Sequence, residues 1–237
     1  MTEPEFHKDG RVTLGTGFDP IIEPVVGYER FYLAADLGQA NDYTATMLIR
    51  DRRVPVYASS TRQVLGPRER VVVYADRFRG VSYVDVLGHL LDLMQRPQVA
   101  GRVELSIDAT GLGRVVHDMA VEKNIPHHAV QMTTGQQWSR NGQYISVGKT
   151  LLVETLSVAF SSGELAFAAD LPLRKQIEED LASFTLTTTA AGNQIITQSR
   201  TAAGHGDLGI ALAIAAFTSQ HLRPRVFEQR KLAGYWG

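Results

Sequence analysis

The stretch GHGDLGIALAIAAF, Gly204 to Phe217, constrains the fold more than any other part of the chain. From Leu208 onward it is apolar at nearly every position, and a helix with no polar face is buried on every side. A histidine and an aspartate, His205 and Asp207, stand at its mouth. Asp207 is therefore either a residue that serves the helix terminus or a carboxylate held against a core for chemistry. Its immediate neighbours do not decide between the two, and the rest of the chain has to supply partners.

The 237 residues are enough for one large domain with appendages, and a hydrophobic content of 44% suits a globular core. Residues 1–28 lack periodicity and read as an arm or linker, 29–221 as the folded domain, and 222–237 as a loosely ordered tail. The chain has no cysteine, which excludes disulfides and thiolate metal sites. A metal centre here has to use carboxylates, histidines or backbone oxygens. No apolar run reaches membrane-spanning length and no signal-peptide pattern opens the chain, so the expected compartment is the cytoplasm. The formal net charge of −1 gives no global signature of nucleic-acid binding. A local basic face remains compatible with it. Arg50, Arg52, Arg53, Arg62, Arg68, Arg70, Arg77 and Arg79 form one group, and Arg223, Arg225, Arg230 and Lys231 another. Phosphate binding and solvated surface charge account for such arginines equally well.

RFYLAADLG reads as a buried strand ending at Asp36, NDYTATMLIRD and RERVVVYADRF as two more in an antiparallel meander. SYVDVLGHLLDLMQRP reads as a helix capped by Ser82, with Asp85 completing a capping box and Pro97 beyond its end. RVELSIDATG is a strand ending at Asp108, GRVVHDMAVEKN an amphipathic helix and HHAVQMT a strand. This alternation predicts parallel pairing with right-handed crossovers. SRNGQY is expected to be a polar loop, SVGKTLLVETLSVAFSSG a helix, ELAFA a short strand and DLPLRKQIEEDLASF a helix capped by Asp170. FTLTTTAAGNQIITQSR is expected to form a hairpin with AAGN at its tip. The sum is an α/β fold: a mixed, five-stranded-type sheet of ribonuclease-H-like arrangement, helices on both faces, and a C-terminal β-hairpin.

Asp36 and Asp108 each end an apolar strand, where α/β sheets form their ligand crevice. If those strands are neighbours, the two carboxylates reach metal-bridging range, and Asp207 supplies a third. Two divalent cations about 3.5–4 Å apart can activate water and stabilise the leaving oxygen of a phosphodiester. Such cations need carboxylate oxygens, and clustered acids need the cations to relieve their repulsion. Singly, each aspartate is ordinary turn or cap chemistry; three on a pattern that converges them point to a metal centre. Asp42, six residues after Asp36, either builds the turn or stands behind Asp36. His205 either orients Asp207 or is a loop histidine. His117, His127 and His128 have no metal-ligand spacing and read as structural or surface residues. GQYISVGKT imitates a phosphate loop, but five residues rather than four separate Gly142 from Gly148, and no apolar strand leads into it. Lys149 instead begins a helix, where it reaches a phosphate or faces solvent.

AADLGQANDYTA, SIDATGLG, VGKTLLVETLSVAFSSGELAF, LASFTLTTTAAGN and GHGDLGIALAIA together resemble, in order and spacing, the nuclease domain of the large terminase subunit of tailed bacteriophages. The resemblance runs from about Phe31 to Phe217. It implies a ribonuclease-H-like fold and metal-dependent endonuclease activity on double-stranded DNA, cutting concatemeric genomes to begin and end packaging. It implies Asp36, Asp108 and Asp207 as ligands of two Mg2+ or Mn2+ ions, with Asp42, Lys149 and His205 at family-like positions, and a hairpin near DNA. It also implies as partners a terminase ATPase domain or subunit, the small terminase subunit and the portal, in the host cytoplasm and transiently at the procapsid. Two departures stand out. Many members carry adjacent aspartates where this chain has Gly206 and Asp207, and the sequence has no Walker A motif. On this resemblance the chain is expected to be an isolated domain or a split-gene product. Other readings are a different ribonuclease-H-like nuclease such as a junction resolvase, an actin-like kinase or ATPase built on DLG, and a non-catalytic DNA-binding or assembly module.

Overall fold

A computed structural model describes residues 3–16, 22–38, 42–111, 113–188, 194–198 and 206–222. Three long strands form the antiparallel meander that the sequence predicts: β3 (Gly27–Asp36), β4 (Thr44–Ser59) and β5 (Arg62–Phe78), preceded by β1 (Pro4–Phe6) and β2 (Arg11–Leu14). Helix α1 (Tyr83–Gln95) leads to β6 (Val103–Asp108), and α2 (Gly113–Glu122) to β7 (His128–Thr133). Both of these strands run parallel to their neighbour, β6 beside β3 and β7 beside β6. The five strands legible in the sequence thus lie in the order β5-β4-β3-β6-β7. Parallel pairing needs a crossover, and α1 and α2 supply the two crossovers.

The sheet is wider than expected, with ten strands among the described residues. β2 pairs with the start of β3 through Arg11 and Tyr28, so part of the N-terminal segment is built into the sheet. The expected polar loop after Trp138 is instead a hairpin of β8 (Trp138–Asn141) and β9 (Tyr144–Gly148), with β9 parallel to β7. Its turn is two residues long and places Gly142 at φ +61°, a conformation glycine adopts freely. Helix α3 (Lys149–Ser161) therefore begins later than predicted, because Ile145 and Val147 are spent on the sheet, where both are fully buried. β10 (Leu165–Phe167) returns to the far edge, parallel to β5. Helix α4 (Arg174–Ala182) is preceded by Leu173 at φ +60°, so Asp170 does not cap it. β11 (Phe184–Thr188) and β12 (Gln194–Gln198) form the predicted hairpin, whose tip lies outside the described residues. Helix α5 (Asp207–His221) is buried almost throughout, as its composition requires.

Strand alternation sends β3 into two cores. Tyr32 and Ala34 face α3, α4 and α5, packing with Ile214 and Phe217. Phe31, Leu33 and Ala35 face α1 and α2, packing with Leu90, Leu105 and Val116. Ser82 caps α1 as predicted: its hydroxyl accepts from the Asp85 amide at 3.2 Å and donates to the Asp85 carboxylate at 2.7 Å. Three of the meander's arginines form ion pairs within the fold. Arg52 meets Glu69, Arg68 meets Asp51, and Arg70 meets Glu164. The basic group after Arg223 lies outside the described residues. Among the described residues no helix is long and apolar enough to cross a membrane.

Candidate active site

Asp36 and Asp108 are the last residues of adjacent parallel strands, paired through Ala35 and Ile107. Both side chains therefore leave the same edge and the same face of the sheet, the face covered by α5. Their carboxyls share a hydrogen bond. Asp108 is further oriented by the Thr110 amide, which donates to its Oδ1 at 2.8 Å, while the Thr110 hydroxyl accepts from the Met132 amide at 3.0 Å. Asp207 comes from the other layer. Gly206, at φ +78°, occupies the N-cap position of α5, so Asp207 is the first helical residue rather than the cap. The partial positive charge of the helix terminus favours its carboxylate there. Lys149 opens α3 directly after β9 and stands beside the same acids, its ammonium 5.6 Å from the centre of the Phe184 ring.

The electrostatics record this convergence. Burial lifts the Asp36 carboxyl well above its ordinary range, and the negative charges of Asp108 and Asp207 lift it further. Lys149 acts in the opposite sense on Asp36. Burial also raises Asp108, against the donors of Thr110 that hold it down. Burial lowers the Lys149 ammonium, and the charge of Asp36 partly restores it. Three acids that repel one another in a desolvated crevice hold a proton or a cation to relieve the repulsion.

Among the described residues no group of three His, Cys, Asp or Glu side chains is drawn together closely enough to hold a metal ion. Asp36 and Asp108 interact with each other instead, and the contact adds to what holds the Asp36 carboxyl up. The donor set nevertheless suits a hard divalent cation in kind, since every donor is a carboxylate oxygen and the charges of Asp108 and Asp207 both bear on Asp36.

The other predicted residues are placed differently. Asp42 lies in the turn before β4, half-buried, next to Tyr43. His205 lies outside the described residues. His117 and His127 are buried and hydrogen-bonded to each other at 2.7 Å, and His128 is buried 3.3 Å from Glu104, so these three serve the fold. The structure adds Asp180, Arg77 and Tyr43. Arg77 lies level with Asp36 across β4, each paired with Ala45, and its guanidinium rests 4.2 Å from the centre of the Tyr43 ring. Asp180 is fully buried on α4. Its signal in the sequence is slight: an acid three residues after Ile177, on the apolar face of a helix otherwise rich in surface charge.

No protein-family model and no curated protein matches the sequence. Solved structures do match the fold. The large terminase nuclease from thermophilic phage G20c with bound magnesium superposes with a TM-score of 0.53 at 18% identity, over 93% of this chain and 92% of that one. The same nuclease with bound cobalt gives 0.51 at 19% identity, again over 93% and 92%. At this level of identity the likeness is one of fold. The chain has the ribonuclease-H-like architecture of a terminase nuclease domain.

Proposed function

We propose that this chain is a divalent-metal-dependent endonuclease of the large-terminase type, hydrolysing double-stranded DNA during packaging of a phage genome. One observation carries the reading: Asp36 and Asp108 end adjacent parallel strands of a ribonuclease-H-like sheet, and Asp108, Asp207 and Lys149 all act on the Asp36 carboxyl there. The likeness to the phage G20c nuclease, solved with magnesium and with cobalt, supports it.

Asp36, Asp108 and Asp207 would hold two Mg2+ or Mn2+ ions. When bound, the ions supply activation of water and stabilisation of the leaving oxygen, so that cleavage ends in a 3′ hydroxyl. Asp36 has to release the proton that its surroundings favour before it serves as a ligand. Asp108 is held in orientation by Thr110. Lys149 offsets the carboxylate charge on Asp36 and would interact with a DNA phosphate. Asp42 and His205 would have supporting roles. The hairpin of β11 and β12 carries exposed hydroxyls, Thr187 and Thr197 at 3.1 Å from each other, which would meet the DNA backbone. Contacts of this kind read phosphate rather than base, so cutting is nearly sequence-independent and salt-sensitive. The proposed partners are the terminase ATPase, the small subunit and the portal, with action in the host cytoplasm at the procapsid.

The test is nicking of supercoiled plasmid in Mn2+, Mg2+ or EDTA by the wild type and by Asp36→Ala. Cutting that requires the metal and disappears in the variant is expected. Well-folded wild type that cuts in neither metal, alone or with an ATPase subunit, overturns the assignment in favour of a binding module.

A further inference from the structure

Asp180 is 0% exposed, yet it is an acid with no lysine or arginine in an ion pair with it among the described residues. A buried carboxylate is costly unless hydrogen bonds or an opposite charge satisfy it. Its Oδ2 accepts from the amides of Leu208 and Gly209, at 3.1 and 3.4 Å. These amides belong to the first turn of α5, where helix donors have no partner within the helix. Gly206, the N-cap residue, has no side chain to serve them. Asp180 therefore caps α5 from another element, and the capped turn begins with Asp207.

The surrounding contacts lock this geometry. The Ser183 hydroxyl donates to the Asp180 carbonyl at 2.6 Å, closing the end of α4. Phe184 follows, and a Cβ placed on Gly209 would lie 3.0 Å from its ring. The α4–β11 junction and the first turn of α5 are thus in contact at closest packing. The same Phe184 ring carries Lys149 on it. The other oxygen, Oδ1, is buried and has no hydrogen-bond partner among the described residues, and neither does Nη1 of Arg77. The Arg77 charge acts on Asp180 across this space. Arg77 lies two strands from Asp36, roughly 10 Å at the usual strand spacing.

We propose that Asp180 is a positioning residue: by capping α5 from α4 it fixes where the Asp207 carboxylate stands relative to Asp36 and Asp108, and so sets the affinity of the acidic site for a divalent cation. The proposal rests on the metal-dependent reading above. It assigns Asp180 no contact with the ion or with DNA. Its oxygen holds two backbone amides, and the effect passes to Asp207 through one helical turn. Residues that orient metal ligands in this way commonly change affinity by about 10–100-fold when removed.

The experiment measures Mn2+ binding by calorimetry and amide exchange at the start of α5 in the full chain. Wild type is compared with Asp180→Ala, Asp180→Asn and Ile177→Ala. Ile177 is a buried residue of the same helix and controls for destabilisation of α4. Asp180→Ala is expected to weaken Mn2+ binding by about tenfold or more and to speed exchange at Leu208 and Gly209. Asp180→Asn keeps an oxygen for the two amides and is expected to retain most of the affinity and the protection. Ile177→Ala is expected to lower the melting temperature without weakening Mn2+ binding. Folded Asp180→Ala that binds Mn2+ like the wild type removes the positioning role and leaves the metal site standing. Equal loss in Asp180→Ala and Ile177→Ala makes Asp180 a residue of the fold only. Wild type that binds no Mn2+ removes the metal site itself.

Discussion

Asp36 and Asp108 end neighbouring parallel strands, and the charge of Asp108 and its contact with Asp36 both hold the Asp36 carboxyl above its ordinary range. Two acids in contact cannot both ionise cheaply in a desolvated crevice, and Asp207 adds a third charge. The site is therefore built against its own ionisation. Function and stability pull in opposite directions at Asp36, and this opposition can be measured.

In EDTA, Asp36→Asn is expected to raise the melting temperature at pH 8. The Asp36 pKa is raised in the folded chain, so the native state binds this proton more tightly than the unfolded state does. Stability from this group is then present at low pH and is lost as pH rises from the unfolded value, about 3.9, through the raised folded one. An amide carries no such penalty. The gain should shrink as pH is lowered toward 5, and thermal melts of both proteins across that range read it directly. An unchanged or lowered melting temperature at pH 8 would show that Asp36 is not in conflict with its neighbours.

Mn2+ should have the reverse effect on the wild type. An ion that binds only the folded state stabilises it by about 2.7 kcal/mol at a hundred times its dissociation constant, or roughly 5–10 °C for a chain of this size. EDTA should reverse the shift. Asp207→Ala should lose most of it, because one of three oxygen arms is gone. A wild-type shift that survives in Asp207→Ala means that the ion sits elsewhere.

The three acids were legible in the sequence because each ends a segment with an unmistakable apolar pattern. Asp36 and Asp108 close buried strands, and Asp207 opens a helix with no polar face. Local pattern is enough to find such residues. Their adjacency needed one further step, the parallel pairing implied by α1 and α2. The β8–β9 hairpin was not legible, since all four residues of β8 are exposed and show no alternation. β1 and β2 are three and four residues long, too short to carry a period. Asp180 escaped for a different reason. Its partners, Leu208 and Gly209, lie 28 and 29 residues away, and only tertiary packing brings them to its oxygen. The arginines show the same limit: their number suggested a phosphate face, but Arg68 and Arg70 are committed to partners within the fold.

Arg68 provides a prediction about stability without chemistry. Its Nε and Nη2 donate to the two oxygens of Asp51 at 3.0 and 2.5 Å, and Nη2 also reaches the Ser219 carbonyl at 2.7 Å, tying β4 and β5 to the end of α5. Asp51 is 1% exposed. Removing one partner of a buried pair strands the other charge, at a cost of about 3–5 kcal/mol. Asp51→Ala should therefore lose about 3 kcal/mol in urea unfolding, while the cleavage rate per folded molecule stays at the wild-type value. A loss below about 1 kcal/mol would place the pair with ordinary surface bridges.

Lys149 should separate metal binding from cleavage. Its ammonium stands beside Asp36, where it lowers the repulsion among the acids and equally opposes the approach of a cation. In Lys149→Met that opposition disappears, and Mn2+ should bind at least as tightly as in the wild type. Cleavage should nevertheless fall, on the order of 10²-fold, if the ammonium stabilises charge developing on the scissile phosphate. Titration calorimetry and single-turnover plasmid cleavage on the same preparation give both numbers. Binding and cleavage falling together would make Lys149 a support of the acidic site. Wild-type cleavage in the variant would return it to the role of a charge resting on Phe184.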